Sequence, residues 1–262
     1  MTAAHAPTFI QSADNAFVKD LRRLAQGTTA YRRQGRVWVE GDHLCGAALA
    51  RGRQPAVAVF SESFWPLAPA QYAQAAIKSI VLLDALWASI SALESPAGMG
   101  FVLDWSEPAQ LQPHAPTVVL DRLQDAGNVG SILRCAAAFG FTQIAAIKGT
   151  AALWSPKVLR AGMGAHFALQ LVEGLEVQAL LDALQAPLLV TSSHQGDLLH
   201  RAALPWPCAW VMGHEGQGVS PLLEQRASQH IRIAQPGGEE SLNVAAAAAI
   251  CLHASAAGCL GR

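Results

Sequence analysis

Five apolar runs in the second half of the chain restrict its fold more than any other feature. Thr117 to Asp121, Gln143 to Lys148, Pro187 to Ser192, Ala209 to Met212 and Ile231 to Ala234 are each of strand length, and helical patterns separate them. Near-continuous apolar strands need cover on both faces, which a mostly parallel sheet flanked by helices provides. The expected class is therefore α/β.

A smaller alternation precedes it. Asn15 to Leu24 reads as a helix with Phe17, Val18, Leu21 and Leu24 on one side and Lys19, Arg22 and Arg23 on the other. Arg36 to Glu40 is a strand, and Gly41-Asp42 opens a helix to Ala50 with Asp42 as its expected N-cap. Val57 to Phe60 is a strand, Pro69 to Lys78 a helix, Ser79 to Leu83 a strand, Asp84 to Glu94 a helix and Phe101 to Leu103 a closing strand. Residues 1–105 are expected to form a small α/β domain. Residues 106–116, with Pro108, Pro113 and Pro116, form a linker, and 117–262 the larger domain.

With 262 residues, 52% of them hydrophobic, the chain can bury one large core or two modest ones. A net charge of −1 gives no global field, but Ile10 to Pro55 is locally basic. Lys19, Arg22, Arg23, Arg32, Arg33, Arg36, Arg51 and Arg53 stand there against Asp14, Asp20, Glu40 and Asp42. Such a face is either simply solvated or follows a phosphate backbone. The five cysteines lack CxxC spacing and the nine histidines lack ligand spacing, so no metal is expected. Unpaired cysteines and an N-terminus without an apolar leader core lead to a cytoplasmic expectation. Leu242 to Leu260, rich in alanine and interrupted by Asn243, His253 and Ser255, reads as a buried helix and not a membrane span.

Three constellations sit where strands end. The first, Asp121 to Ala136, places Asn128 at a helix mouth and Arg134 off the buried stripe of Ile132, Cys135, Ala136 and Phe139, with Gly140 as the stop. A lone arginine there is either a surface ion-pair partner or a group that faces an anion. The second, Gly213-His214-Glu215-Gly216-Gln217-Gly218, follows a strand and precedes a helix near Pro221. It is neither a dinucleotide fingerprint nor a P-loop, because no ribose-binding acid and no Gly-Lys-Ser/Thr follow. The third runs from Ile231 through Pro236, Gly237 and Gly238 to Ser241-Leu242-Asn243, ahead of a helix from Val244 to Ala257 that Ser241 is placed to cap.

In this order, from Thr117 to the end, the three motifs together resemble the SpoU-type RNA ribose 2′-O-methyltransferases of the SPOUT superfamily. Ser155 to Phe167 also looks like the family. Ser12, Asn15, Val18-Lys19 and Val39 to Leu44 are similar, more loosely, to the small RNA-binding domain that many members carry. Ala234-Gln235 stands where members often have Pro-Met, Gly162 where a serine is common, and Cys135 replaces a usual threonine or asparagine.

The resemblance implies a Rossmann-like sheet ending in a C-terminal trefoil knot, a homodimer, and S-adenosylmethionine as methyl donor. It implies that Thr191, Gly213, Gly218, Ile233 and Leu242 hold the donor. Arg134 engages the nucleotide's phosphate and hydroxyl, with Asn128, Glu215, Ser241 and Asn243 around it. A guanidinium keeps its proton near neutrality, so Arg134 clamps phosphate and stabilises the alkoxide while Glu215 or the RNA phosphate accepts the proton. Arg22, Arg23, Arg32, Arg33 and Arg36 are the candidates for RNA capture. The expected substrate is ribosomal RNA. Transfer RNA, a non-catalytic RNA-binding or ribosome-assembly factor, and a nicotinamide-dependent oxidoreductase are the alternatives, the last disfavoured by the missing fingerprint.

Overall fold

The structure, a computed structural model, describes residues 6–106, 110–192, 196–237 and 241–260; Pro108 of the expected linker and Gly238 of the expected turn lie outside the described residues. The chain divides into two compact units, Met1–Glu107 with Trp154–Phe167, and Pro108–Leu153 with Ala168–Arg262.

In chain order the elements are β1 (Thr8–Ile10), α1 (Ala16–Gln26), α2 (Ala30–Gln34), β2 (Arg36–Glu40), α3 (Asp42–Ala50), β3 (Val57–Ser61), α4 (Ala70–Ala73), β4 (Lys78–Leu82), α5 (Asp84–Ile90) and β5 (Met99–Asp104). They continue as β6 (Thr117–Leu120), α6 (Ala126–Ala138), β7 (Gln143–Ile147), α7 (Pro156–Gly162), β8 (Gln170–Leu175), α8 (Val177–Ala183), β9 (Leu188–Thr191), β10 (Asp197–Leu198), β11 (Ala209–Met212), α9 (Pro221–Gln225), β12 (Gln229–Arg232) and α10 (Val244–Leu260).

In the first unit five strands lie in the order β1-β4-β3-β5-β2, with β5 antiparallel to both neighbours and the other pairs parallel. The Asn15 side chain accepts from the Phe17 amide and starts α1, which turns Val18, Leu21, Leu24 and Ala25 inward. Two local expectations are corrected. Gly41, at φ 95°, caps α3, and Asp42 lies inside the first turn, where it accepts from the Tyr72 hydroxyl at 2.5 Å. The helix expected over Pro69 to Lys78 shrinks to the four residues of α4, because Lys78 already opens β4. Trp154–Phe167, which the sequence assigns to the larger domain, packs within this unit. Its α7 has Ser155 as N-cap and Pro156 at the first position, each suited to its place, and ends on Met163 in the left-handed conformation that glycine or asparagine usually takes.

The second unit is built on a sheet of seven described strands, β10-β12-β9-β11-β6-β7-β8, with every pairing parallel. On one face Val119, Val190 and Val211 pack with Leu180 of α8 and Leu223 of α9. On the other, fully buried Trp210 donates its indole N–H to Ser255 of α10 at 2.9 Å, so a polar atom in the core finds its partner. Parallel pairing puts the carboxyl ends of β6, β9, β11 and β12 on one edge of the sheet. The chain order reverses between β6 and β11, and open α/β sheets bind ligands at such a point.

The last helix reaches Leu260, past the expected Ala257, and its cap is Asn243 and not Ser241. Asn243 Oδ1 accepts from the Ala245 and Ala246 amides at 2.9 and 3.2 Å. Strand β12 ends at Arg232, so Ile233 and Ala234 belong to the loop beyond it. All five cysteines are free, and burial pushes the Cys208 and Cys251 thiols up to about 12, which keeps them protonated. Among the described residues no helix is long and apolar enough to cross a membrane.

Candidate active site

Strand β11 delivers Gly213 to Gly218 at the carboxyl edge, and the segment closes on itself. His214 and Gly218 exchange two backbone hydrogen bonds at 3.0 and 2.9 Å. Nδ1 of His214 accepts from the amides of Gly216 and Gln217 at 3.0 and 3.2 Å, which places the imidazole proton on Nε2. Gly213 is needed by this loop itself. A Cβ there would lie 2.6 Å from backbone atoms of Gly218 and Val219, so chain against chain demands the glycine before any ligand does.

The far end of the loop is tied to β6. Asp121, wholly buried, accepts from the Ser220 amide at 2.6 Å and pairs with Nε of Arg122 at 2.9 Å. Arg122, at φ 61°, passes its Nη1 on to the Gln217 side chain at 2.9 Å. The sequence shows only an Asp-Arg pair at the end of an apolar strand, with nothing to name Ser220 as its partner.

The three motifs meet at the start of α6. Asp125 caps that helix by accepting from the Asn128 amide at 2.7 Å. Asn128 Nδ2 donates to Glu215 Oε1 at 3.3 Å across 87 positions, and Asn128 Oδ1 accepts from Asn243 Nδ2 at 3.0 Å across 115. Glu215 Oε1 also accepts from the Asp125 amide at 3.4 Å. Burial pushes the Glu215 carboxyl upward. Hydrogen bonds from its own amide, the Asn128 side chain and the amides of Asp125 and Gln124 outweigh that and hold it below the usual glutamate range. Its small contribution to stability is therefore full above the ordinary glutamate value and lost as pH falls through the depressed one.

Its hydrogen bonds from the Asn128 side chain and the Asp125 amide make Glu215 a firm tether between the loop and α6. Glu215→Gln, which keeps an acceptor for Asn128, is expected to retain most of the activity that the resemblance implies, whereas Glu215→Ala loses about tenfold or more because the link to α6 is cut. A loss of more than a hundredfold in Glu215→Gln, with the acid limb of the pH–rate profile removed, would make Glu215 the base after all.

Beside this junction lies a cavity of about 480 Å³, within the size range of small-molecule sites. Thr191, Gly213, Gly218, Ile233 and Leu242 all line it, as do Glu215, Ser241 and Asn243. Asn128 is bonded to two of these but is not part of the lining. Arg134 is exposed on α6 outside the lining and has no partner among the described residues. Ser192, His214, Val219, Gln235 and Ala247 also line the cavity, although the sequence reading gave none of them a site role. Each stands within a few residues of one that received such a role. Ile231, Ile233 and Leu242 offer an apolar surface and the glycine loop offers backbone polar groups, which together suit a ligand with a flat ring and hydroxyls.

The arginines of the first unit differ in freedom. Arg22 donates to Ser89 at 2.9 Å, Arg23 pairs with Asp20 at 2.9 Å and Arg36 with Asp104 at 3.6 Å. Arg32 reaches the Tyr31 hydroxyl at 3.1 Å and lies over that ring, while Arg33 is exposed with no partner among the described residues. Among the described residues no cluster of His, Cys, Asp and Glu could hold a metal ion.

The sequence profile of the SpoU rRNA Methylase family matches residues 115–253. An uncharacterised tRNA/rRNA methyltransferase of Synechocystis is 32% identical over 256 residues, covering 93% of this chain and 92% of that protein. The 23S rRNA (guanosine(2553)-2′-O)-methyltransferase RlmP of Bacillus subtilis is 28% identical over 249 residues, covering 93% and 97%. A solved RNA 2′-O ribose methyltransferase superposes with a TM-score of 0.79 at 28% identity, covering 97% of this chain and 100% of that one. A profile match over more than half the chain, and a relative similar along almost its whole length, establish that this chain belongs to the SpoU rRNA methylase family.

Proposed function

We propose that the protein transfers a methyl group from S-adenosylmethionine to a ribose 2′-hydroxyl of structured RNA, ribosomal RNA foremost. The observation that carries this is the bonded chain Asn243–Asn128–Glu215 at the rim of the carboxyl-edge cavity, in a chain of this family. S-adenosylmethionine, when bound, supplies an electrophilic methyl group. Thr191, Gly213, Gly218, Ile233 and Leu242 hold it, and Ser241 and Asn243 orient the rim. Arg134, exposed and with no partner among the described residues, clamps the nucleotide's phosphate and stabilises the developing alkoxide. Glu215 ties the glycine loop to α6, and the hydroxyl's proton leaves to the RNA phosphate or to water as the methyl group arrives.

The finer features belong to the same proposal. The segment leading into α10 forms the trefoil knot of the family. A second copy covers the outward side of α10, where Ala246, Ile250, His253 and Ala257 recur at helical spacing and Ile250 is 41% exposed. The first unit captures RNA through Arg22, Arg23, Arg32, Arg33 and Arg36, with the unpaired Arg33 contributing most. Free cysteines support a reducing, cytoplasmic setting.

The test is label transfer from methyl-labelled S-adenosylmethionine to ribosomal RNA from cells lacking the gene. The product should carry one phosphodiester resistant to alkali, because a methylated 2′-oxygen cannot attack its neighbour. Cofactor binding without transfer to any ribosomal or transfer RNA would leave a non-catalytic RNA-binding factor.

A further inference from the structure

Gln235 lies in the loop beyond β12 and lines the cavity. Its side-chain oxygen is buried and finds no hydrogen-bond partner among the described residues. Ser220 Oγ, Gln229 Oε1 and Arg232 Nε in the same unit are also buried without partners, but none of those residues lines the cavity. Buried acceptors are normally satisfied, and one left open in a residue that lines a cavity is a place for a donor that arrives with a ligand. Of the lining residues, Ile231, Ile233 and Leu242 carry no donor on their side chains, and none of the polar ones bonds this oxygen.

We infer that Gln235 Oε1 accepts a hydrogen bond from the adenosine portion of the methyl donor, from either the exocyclic amine of the base or a ribose hydroxyl. This rests on reading the cavity as the cofactor site. Gln235 thus discriminates among nucleosides by hydrogen bonding, where an apolar side chain would discriminate by shape alone. The bond needs only a turn of the Gln235 side chain to present Oε1 to the ligand, and it satisfies an acceptor that the free protein leaves open.

The test is calorimetric titration of the purified protein with S-adenosylhomocysteine, comparing wild type with Gln235→Met. Loss of the bond is expected to weaken binding about three- to tenfold. The thermal midpoint of the free variant should be unchanged or higher, since an orphaned buried acceptor has been replaced by an apolar group. Repeating both titrations with S-inosylhomocysteine, which carries an oxygen in place of the amine, completes a double-mutant cycle. If wild type loses affinity for the inosyl compound while the variant binds both equally, the amine is the donor. If the variant's deficit is the same for both compounds but vanishes with the 2′- or 3′-deoxyribose analogue, a hydroxyl is the donor. Equal affinity of wild type and variant for S-adenosylhomocysteine would overturn the inference. Absence of binding to wild type would instead overturn the cofactor reading on which it rests.

Discussion

Replacing Arg134 with alanine is expected to lower kcat/KM for methyl transfer by about 10²- to 10³-fold, the usual loss when a donor to a developing oxyanion is removed. Affinity for S-adenosylhomocysteine should not move, because Arg134 stands outside the cavity lining. Nor should stability, since the side chain is exposed and unpaired among the described residues. Arg134→Lys should recover little, as an ammonium cannot present a planar two-point fork to phosphate. Single-turnover rates, cofactor titration and thermal unfolding check the three parts separately. A wild-type rate in Arg134→Ala would remove the residue from the chemistry and leave it a solvated arginine of α6.

The second large effect is expected at Asp121, where the consequence is structural first. This carboxylate is wholly buried and joins β6, the Arg122 guanidinium and the Ser220 amide. Truncation to alanine leaves the Ser220 amide without its acceptor and Arg122 without its counter-ion. Breaking a buried pair from one side costs about 3–5 kcal/mol. Arg122 keeps 31% of its side-chain surface and can regain water, so the lower end, about 3 kcal/mol, applies. In a unit of this size that lowers the thermal midpoint by on the order of 10 °C. Cofactor binding should weaken with it, because the tethered loop supplies Gly213, Glu215 and Gly218 to the cavity. Asp121→Asn, which keeps an acceptor for Ser220, should cost less than half as much. A denaturant-unfolding difference under about 1 kcal/mol in Asp121→Ala would show that the loop closes without this anchor.

The larger sheet is legible in the sequence because its strands are covered on both faces. Val118-Val119-Leu120 and Trp210-Val211-Met212 are unbroken apolar runs, and each became a fully buried strand. Strand β8 escapes the same reading because it lies at the sheet edge, where Glu173 and Gly174 interrupt the apolar pattern. The short α4 escapes for a different reason. Pro69 to Lys78 has helical residues, but Lys78 is committed to a parallel pairing with Val57 that no local propensity announces.

In the site, the residue types at the three strand ends were enough to select Asn128, Glu215 and Asn243, which the structure joins by hydrogen bonds. What could not be read was division of labour. Ser241 and Asn243 are both good caps, and only the backbone path decides that Asn243 serves α10. Gly213 shows the same limit: its glycine is explained by Gly218 and Val219, residues that turn back on it only once the loop is closed. The Asp121 anchor spans 99 positions to Ser220, and no pattern in a single sequence encodes a contact of that range.

A crystal of the protein grown with S-adenosylhomocysteine would weigh most on the proposed chemistry. The adenosine is expected in the cavity against Gly213, Ile233 and Leu242, with the sulfur directed toward the rim formed by Asn128, Glu215 and Asn243. Ligand density at any other place in the molecule would contradict the assignment of the three convergent loops as the methyl-transfer site.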